Sequence, residues 1–132
     1  MNFSQRPKKI LVADDHAMHL DFLSRLLSEM EFSVIQATDG QLMLEQARQK
    51  KPDLIIMDIF MPGMDGYTAL THLRGIAEVA SIPVILMSAH SAVEAHRSII
   101  SAFERVDFIP KPIELDLLRQ KLVAMGCLST EG

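Results

Sequence analysis

At 132 residues, 48% hydrophobic and 23% charged, the chain suits one soluble globular domain with a real core. A net charge of −4 gives no electrostatic footprint for nucleic acid, and six Gly and six Pro are too few for a disordered or collagen-like chain. No apolar run approaches the roughly 18 residues of a membrane span, the N-terminus lacks the apolar core of a signal peptide, and the single cysteine, Cys127, permits no internal disulfide; a cytoplasmic location is expected.

Residues 1–7 read as a lead-in, 8–126 as the domain and 127–132 as a tail in which Cys127 is an incidental thiol. Lys9 to Ala13 is a short apolar strand, stopped by Asp14-Asp15. A helix follows, because Leu23, Leu26, Leu27 and Met30 fall at i, i+3, i+4 and i+7, a single apolar stripe. Ser33 to Ala37 is a second strand, with Asp39-Gly40 as its turn. Gln41 to Lys50 is a second helix, ended at Lys51-Pro52 because the residue before proline avoids the helical region.

Asp53 to Met57 is a third strand, apolar on both faces from Leu54 onward, as suits the centre of a sheet. It stops at a carboxylate, Asp58, and an unpaired charge in a dry place is costly. The strand's end therefore opens onto a cleft, or Asp58 caps the turn that Met61-Pro62-Gly63-Met64-Asp65-Gly66 makes. Asp65 is the N-cap of a helix through Tyr67, Leu70 and Leu73, with Gly75 as its stop. Val84 to Met87 is a fourth buried strand ending at Ser88-Ala89. A helix is expected from Ser91 to Phe103, turning Val93, Ile99, Ile100 and Phe103 inward. Val106 to Ile109 is a fifth strand, followed by Pro110-Lys111-Pro112. A last helix presents Leu115, Leu118, Leu122 and Met125, and Gly126 terminates it.

Five strands alternating with five helices imply an α/β fold with a doubly wound parallel sheet. Such sheets bind ligands beyond the carboxyl ends of their strands. The groups at those ends are Asp14 and Asp15, then Asp58, Ser88 and Lys111. Three clustered carboxylates repel one another, and a divalent cation relieves the repulsion. Hard oxygen ligands select magnesium, with manganese as the alternative, and no Cys/His set with zinc spacing competes. A carboxylate is also a nucleophile toward phosphorus, and a metal ion and a lysine neutralise the oxygens in transit.

Four function classes fit a sheet of this kind. One is a phosphorylatable signalling module. A second is an adaptor that keeps the same fold without phosphate, against which the intact acidic set argues. A third is an aspartate-nucleophile phosphatase or dehalogenase, which needs a second Asp two residues on, where Phe60 stands. The fourth is a flavodoxin-like redox carrier, whose phosphate loop would clash with Asp14-Asp15-His16.

From about Lys8 to Met125 the sequence resembles the receiver domain of two-component response regulators. The matching pieces, in order, are Ile-Leu-Val-Ala-Asp-Asp, Pro-Asp-Leu-Ile-Ile-Met-Asp, Met-Pro-Gly-Met-Asp-Gly, Ile-Pro-Val-Ile-Leu-Met-Ser-Ala and Phe-Ile-Pro-Lys-Pro-Ile. The resemblance implies a flavodoxin-like (βα)5 sheet of order 2-1-3-4-5. Asp58 would be the phosphoacceptor, supplied by a sensor histidine kinase or a histidine phosphotransfer protein. Asp14, Asp15, Asp58 and the Phe60 backbone carbonyl would hold the metal. Lys111, Ser88 and Ala89 would contact the phosphoryl group, and Ser88 and Phe108 would form the switch. The last two helices and fifth strand would serve an output domain or a homodimer, with no direct nucleic-acid or membrane partner. The chain would phosphorylate and dephosphorylate itself and turn over no other substrate.

Two departures stand out. The residues before the fifth strand are usually Gly-Ala-like in this family but here are Glu104-Arg105, which puts the turn geometry in question. Phe60 and His90 are bulky where water must attack, so Phe60→Asn is expected to shorten the phosphoryl lifetime in a dephosphorylation time course. His16 and His19 are expected along the first helix's exposed side, away from any chemistry.

Overall fold

A computed structural model of the chain describes residues 8–89, 97 and 101–129. Its strands are β1 (Lys9–Ala13), β2 (Ser33–Ala37), β3 (Leu54–Asp58), β4 (Val84–Ala89) and β5 (Val106–Lys111). The helices bounded among the described residues are α1 (Ala17–Glu29), α2 (Gly40–Lys50), α3 (Gly66–Arg74) and α4 (Leu115–Ala124). All strands are parallel, in the order β2-β1-β3-β4-β5. This is the expected doubly wound, flavodoxin-like sheet, with β3 at its centre and buried along its whole length.

Strand alternation sorts the core into two layers. Leu11, Ala13, Ile55, Met57 and Leu86 point to one face, where Met43, Leu44 and Ala47 of α2 and Ala69, Leu70 and Leu73 of α3 cover them. Ile10, Val12, Ile56, Ile85 and Met87 point to the other, under Leu20, Leu23 and Leu27 of α1 and Leu118 and Leu122 of α4. The helix starts follow from side-chain capping. Asp39 accepts from Leu42 N–H and Asp65 from Thr68 N–H, each at 2.8 Å. Gly66 packs against the end of β3 so closely that a Cβ there would lie 2.8 Å from Ile59 Cα, which no side chain could tolerate unmoved. After α4, Gly126 takes a φ of 79°, the left-handed conformation that ends helices.

Several boundaries differ from those expected. Asp58, Ser88, Ala89, Pro110 and Lys111 lie inside strands and not just beyond them, because pairing with a neighbour continues to the sheet's rim, with Asp58 opposite Met87 and Ala89 opposite Lys111. Asp39 is a cap and Gly40 the first residue of α2. Of the helix expected over Ser91–Phe103, Arg97 is helical but Ser101 to Arg105 form turns and a bend; His90, Val93, His96, Ile99 and Ile100 lie outside the described residues. Phe103 nevertheless packs on the core as expected. Cys127, expected in a loose tail, is buried against the α1/α4 layer, and its N–H donates to the Leu122 carbonyl at 2.9 Å. Among the described residues, no helix is long and apolar enough to cross a membrane.

Candidate functional site

β1 and β3 are neighbours in the sheet, and both end in acid at the same rim. Asp14 follows β1, and its N–H donates to the Ala37 carbonyl of β2 at 3.1 Å. Asp58 ends β3, and the next residue is tied to β4 by Ile59 N–H to the Met87 carbonyl at 3.1 Å. Both carboxylates are buried, whereas Asp15 is exposed. Oxygens of Asp14, Asp15 and Asp58 and a ring nitrogen of His16 all lie within 4.8 Å of one another.

Lys111, at the end of β5, closes the cluster from the other side. Its Nζ donates to Asp58 Oδ2 at 2.6 Å and to Asp14 Oδ2 at 3.1 Å. Burial pulls the lysine's pKa down, but the bonds to Asp58 and Asp14 more than offset this and hold it above the ordinary lysine value. Burial likewise pushes Asp14 up, yet the His16 N–H at 2.9 Å, the Lys111 ammonium and the His16 ring together hold it below the ordinary carboxylate value. The remaining Asp58 oxygen, Oδ1, accepts the Phe60 N–H at 3.0 Å. The Lys111–Pro112 peptide is cis.

The other expected site residues are placed as follows. Ser88 is buried in β4, and its hydroxyl donates to the Ala89 carbonyl at 3.4 Å, a weak bond that leaves it easily redirected. Ala89 is exposed at the rim beside Lys111. The Phe60 side chain is 62% exposed in the loop after β3. Phe108 is half-buried in β5, away from the carboxylates, with Arg97 Cζ 5.5 Å and Lys121 Nζ 5.7 Å from its ring centre. Lys121 also pairs with Asp107 at 2.9 Å.

The histidines correct the expectation. His16 and His19 are exposed, as foreseen, but they are turned toward the acids. His16 Nδ1 lies 3.2 Å from Asp14 and 3.3 Å from Asp15. His19 Nδ1 lies 3.7 Å from Asp14 and 3.2 Å from Lys111 Nζ. The sequence signal was present in the spacing: a helix beginning directly after Asp14-Asp15 puts its N-cap and first turn over the same rim.

A hard-oxygen cluster with an ammonium beside it is suited to a divalent cation and a phosphoryl group. The chain is also similar to known proteins. The family model described as the response regulator receiver domain matches residues 10–123. Protein PilH of Pseudomonas aeruginosa is 31% identical over 117 residues, covering 89% of this chain and 96% of that protein. The protein-glutamate methylesterase/protein-glutamine glutaminase of Symbiobacterium thermophilum is 36% identical over 128 residues, and the chain spans only 34% of its length. Among solved structures, the signal receiver domain of a signal transduction histidine kinase from Syntrophus aciditrophicus superposes with a TM-score of 0.78 at 29% identity, covering 89% of each chain.

Proposed function

The chain belongs to the response regulator receiver family, the phosphoacceptor domains of two-component signalling, and we propose that Asp58 is its phosphoacceptor. The observation that carries this is the Asp58 carboxylate itself: buried, at the centre of the rim, with Lys111 Nζ 2.6 Å from one oxygen and a backbone N–H 3.0 Å from the other. An oxygen of Asp58 attacks the phosphorus of a phosphohistidine on a sensor kinase or phosphotransfer protein. The P–N bond breaks and its electron pair leaves with the imidazole. Lys111 stays beside the growing negative charge, at the end of a strand paired along its length with β4.

Asp14, Asp15 and Asp58 fit magnesium, because their carboxylate oxygens are hard donors within 4.8 Å of one another, and the family resemblance adds the Phe60 carbonyl as a further ligand. Bound there, the ion supplies charge neutralisation for the phosphoryl oxygens. Ser88 and Ala89 line the strand next to Asp58, where the phosphoryl group would sit. A phosphoryl group adds about 1.5 to 2 negative charges. The Ser88 hydroxyl, weakly held in this state, turns toward it, and Phe108 moves into the space vacated. Phe108 lies against Arg97 and Lys121, so its motion would alter the surface of the last two helices and β5, which we assign to an output domain or second copy.

The experiment is acetyl phosphate with magnesium, read by intact mass. One phosphate is expected on the wild type and none on Asp58→Asn or in chelator. Phosphate retained on Asp58→Asn would overturn the assignment.

A further inference from the structure

The two imidazoles give the rim a second kind of chemistry. His16 caps α1 and His19 lies three residues on, so both rings rise from one face of the helix start, with centroids 4.9 Å apart. Their nitrogens and an Asp14 oxygen lie within 4.8 Å of one another. A tetrahedral ion with bonds of about 2.0 to 2.1 Å holds neighbouring donors roughly 3.3 to 3.4 Å apart. Here His16 Nδ1 lies 3.2 Å from Asp14 Oδ1 and His19 Nδ1 3.7 Å from the other oxygen, Oδ2, so the Asp14 carboxylate spans the two imidazoles and a modest closing of the three groups brings one oxygen to both. Asp15 lies 3.3 Å from His16 Nδ1 but groups with Asp14 and Asp58, not with His19, so the fourth position of the ion is left open to water. Imidazole suits zinc, nickel and copper and is a poor partner for magnesium.

We propose that His16, His19 and Asp14 bind a nitrogen-preferring divalent transition ion of the zinc type. An ion on His19 Nδ1 displaces the Lys111 ammonium, which lies 3.2 Å from that nitrogen. The ammonium now bridges Asp14, His19 and Asp58; with zinc on the first two, it is left on Asp58 alone. The ion also takes Asp14, one of the three carboxylates assigned above to magnesium, so the two metals compete for it. That competition rests on the proposed function. Zinc binding itself does not.

The test is calorimetric titration of zinc ion into the whole chain in magnesium-free buffer, with imidazole nitrogen NMR in parallel. One ion per chain is expected, shifting the signals of both His16 and His19. His16→Gln and His19→Gln, each an exposed site that does not threaten folding, should weaken binding roughly tenfold or more. Saturating magnesium should weaken zinc binding to the wild type. No binding, unmoved imidazole signals, or equal affinity in the glutamine variants overturns the site. Zinc affinity indifferent to bound magnesium overturns the competition. A chain that takes zinc through both imidazoles yet gains no phosphate from acetyl phosphate upholds the zinc site and overturns the proposed function.

Discussion

Ala13, Met57 and Met87 are 0–2% exposed, and the residues directly after them, Asp14, Asp58 and Ser88, are 1–4% exposed. The burial is the same and the chemistry is opposite. In the strands' middle, apolar side chains leave water and gain packing, which stabilises the fold. At the rim, equally dry polar groups lose hydration, which costs stability unless a partner restores it. The middle therefore holds the sheet together, and the rim uses that rigidity to keep two acids side by side. One lysine from the far end of the chain makes their closeness tolerable.

That contrast can be broken at either place. In the middle, Ile56 is fully buried in the central strand, and Ile56→Ala should lower unfolding stability by about 2–5 kcal/mol in urea. Asp58 should still take phosphate at temperatures where the variant is folded; loss of labelling in a folded variant would mean the core tunes the site directly. At the rim, Lys111→Met should cost about 1–3 kcal/mol in chelator, because two buried carboxylates lose their shared cation. Magnesium should restore part of that loss in the variant, which separates a charge effect from a packing one. The pH dependence follows from the two shifts. Asp14 is held below 3.8, so its contribution is present at neutral pH and lost as acid protonates it; Lys111 is held above 10.5, so its contribution is lost as pH rises past that value. The wild-type advantage over Lys111→Met should therefore shrink at both extremes. A difference independent of pH would show that the lysine stem, not its charge, matters.

The middle of the sheet was legible in the sequence almost residue for residue. Lys9–Ala13 is the strand that its apolar run predicted, because burial on both faces writes a continuous apolar stretch, and the half-exposed edge strand Ser33–Ala37 also falls where expected. The rim was legible in its residue types but not in its boundaries. Asp58, Ser88 and Lys111 look like strand stops by polarity, yet backbone pairing ignores side-chain chemistry and runs through them. The direction of His16 and His19 was not legible, since it depends on how α1 is seated over Asp14. Nor was the role of Arg74. An arginine ending an amphipathic helix reads as solvent-facing, yet its guanidinium donates to the carbonyls of Ile82 at 2.8 Å and Glu104 at 2.9 Å.

Those bonds bear on the smallest effect expected. Glu104-Arg105 stands where the family favours Gly-Ala-like residues, and the turn is made all the same: Arg105 adopts a φ of 59°. A side chain in the left-handed region costs roughly 1–2 kcal/mol, and glycine relieves it at an entropic cost of about 0.5–1 kcal/mol. Arg105 is exposed, and its charge also works against the Arg74 guanidinium, whose pKa is lowered first by burial and then by Arg105. Both effects have the same sign. Arg105→Gly should raise the urea midpoint by the equivalent of up to about 1 kcal/mol, with an unchanged slope. The Arg74 bonds are to backbone carbonyls and survive the change. A loss of stability would mean that the arginine side chain holds the entry to β5, and that this turn, unlike the rest of the rim, depends on the residue that departs from the family.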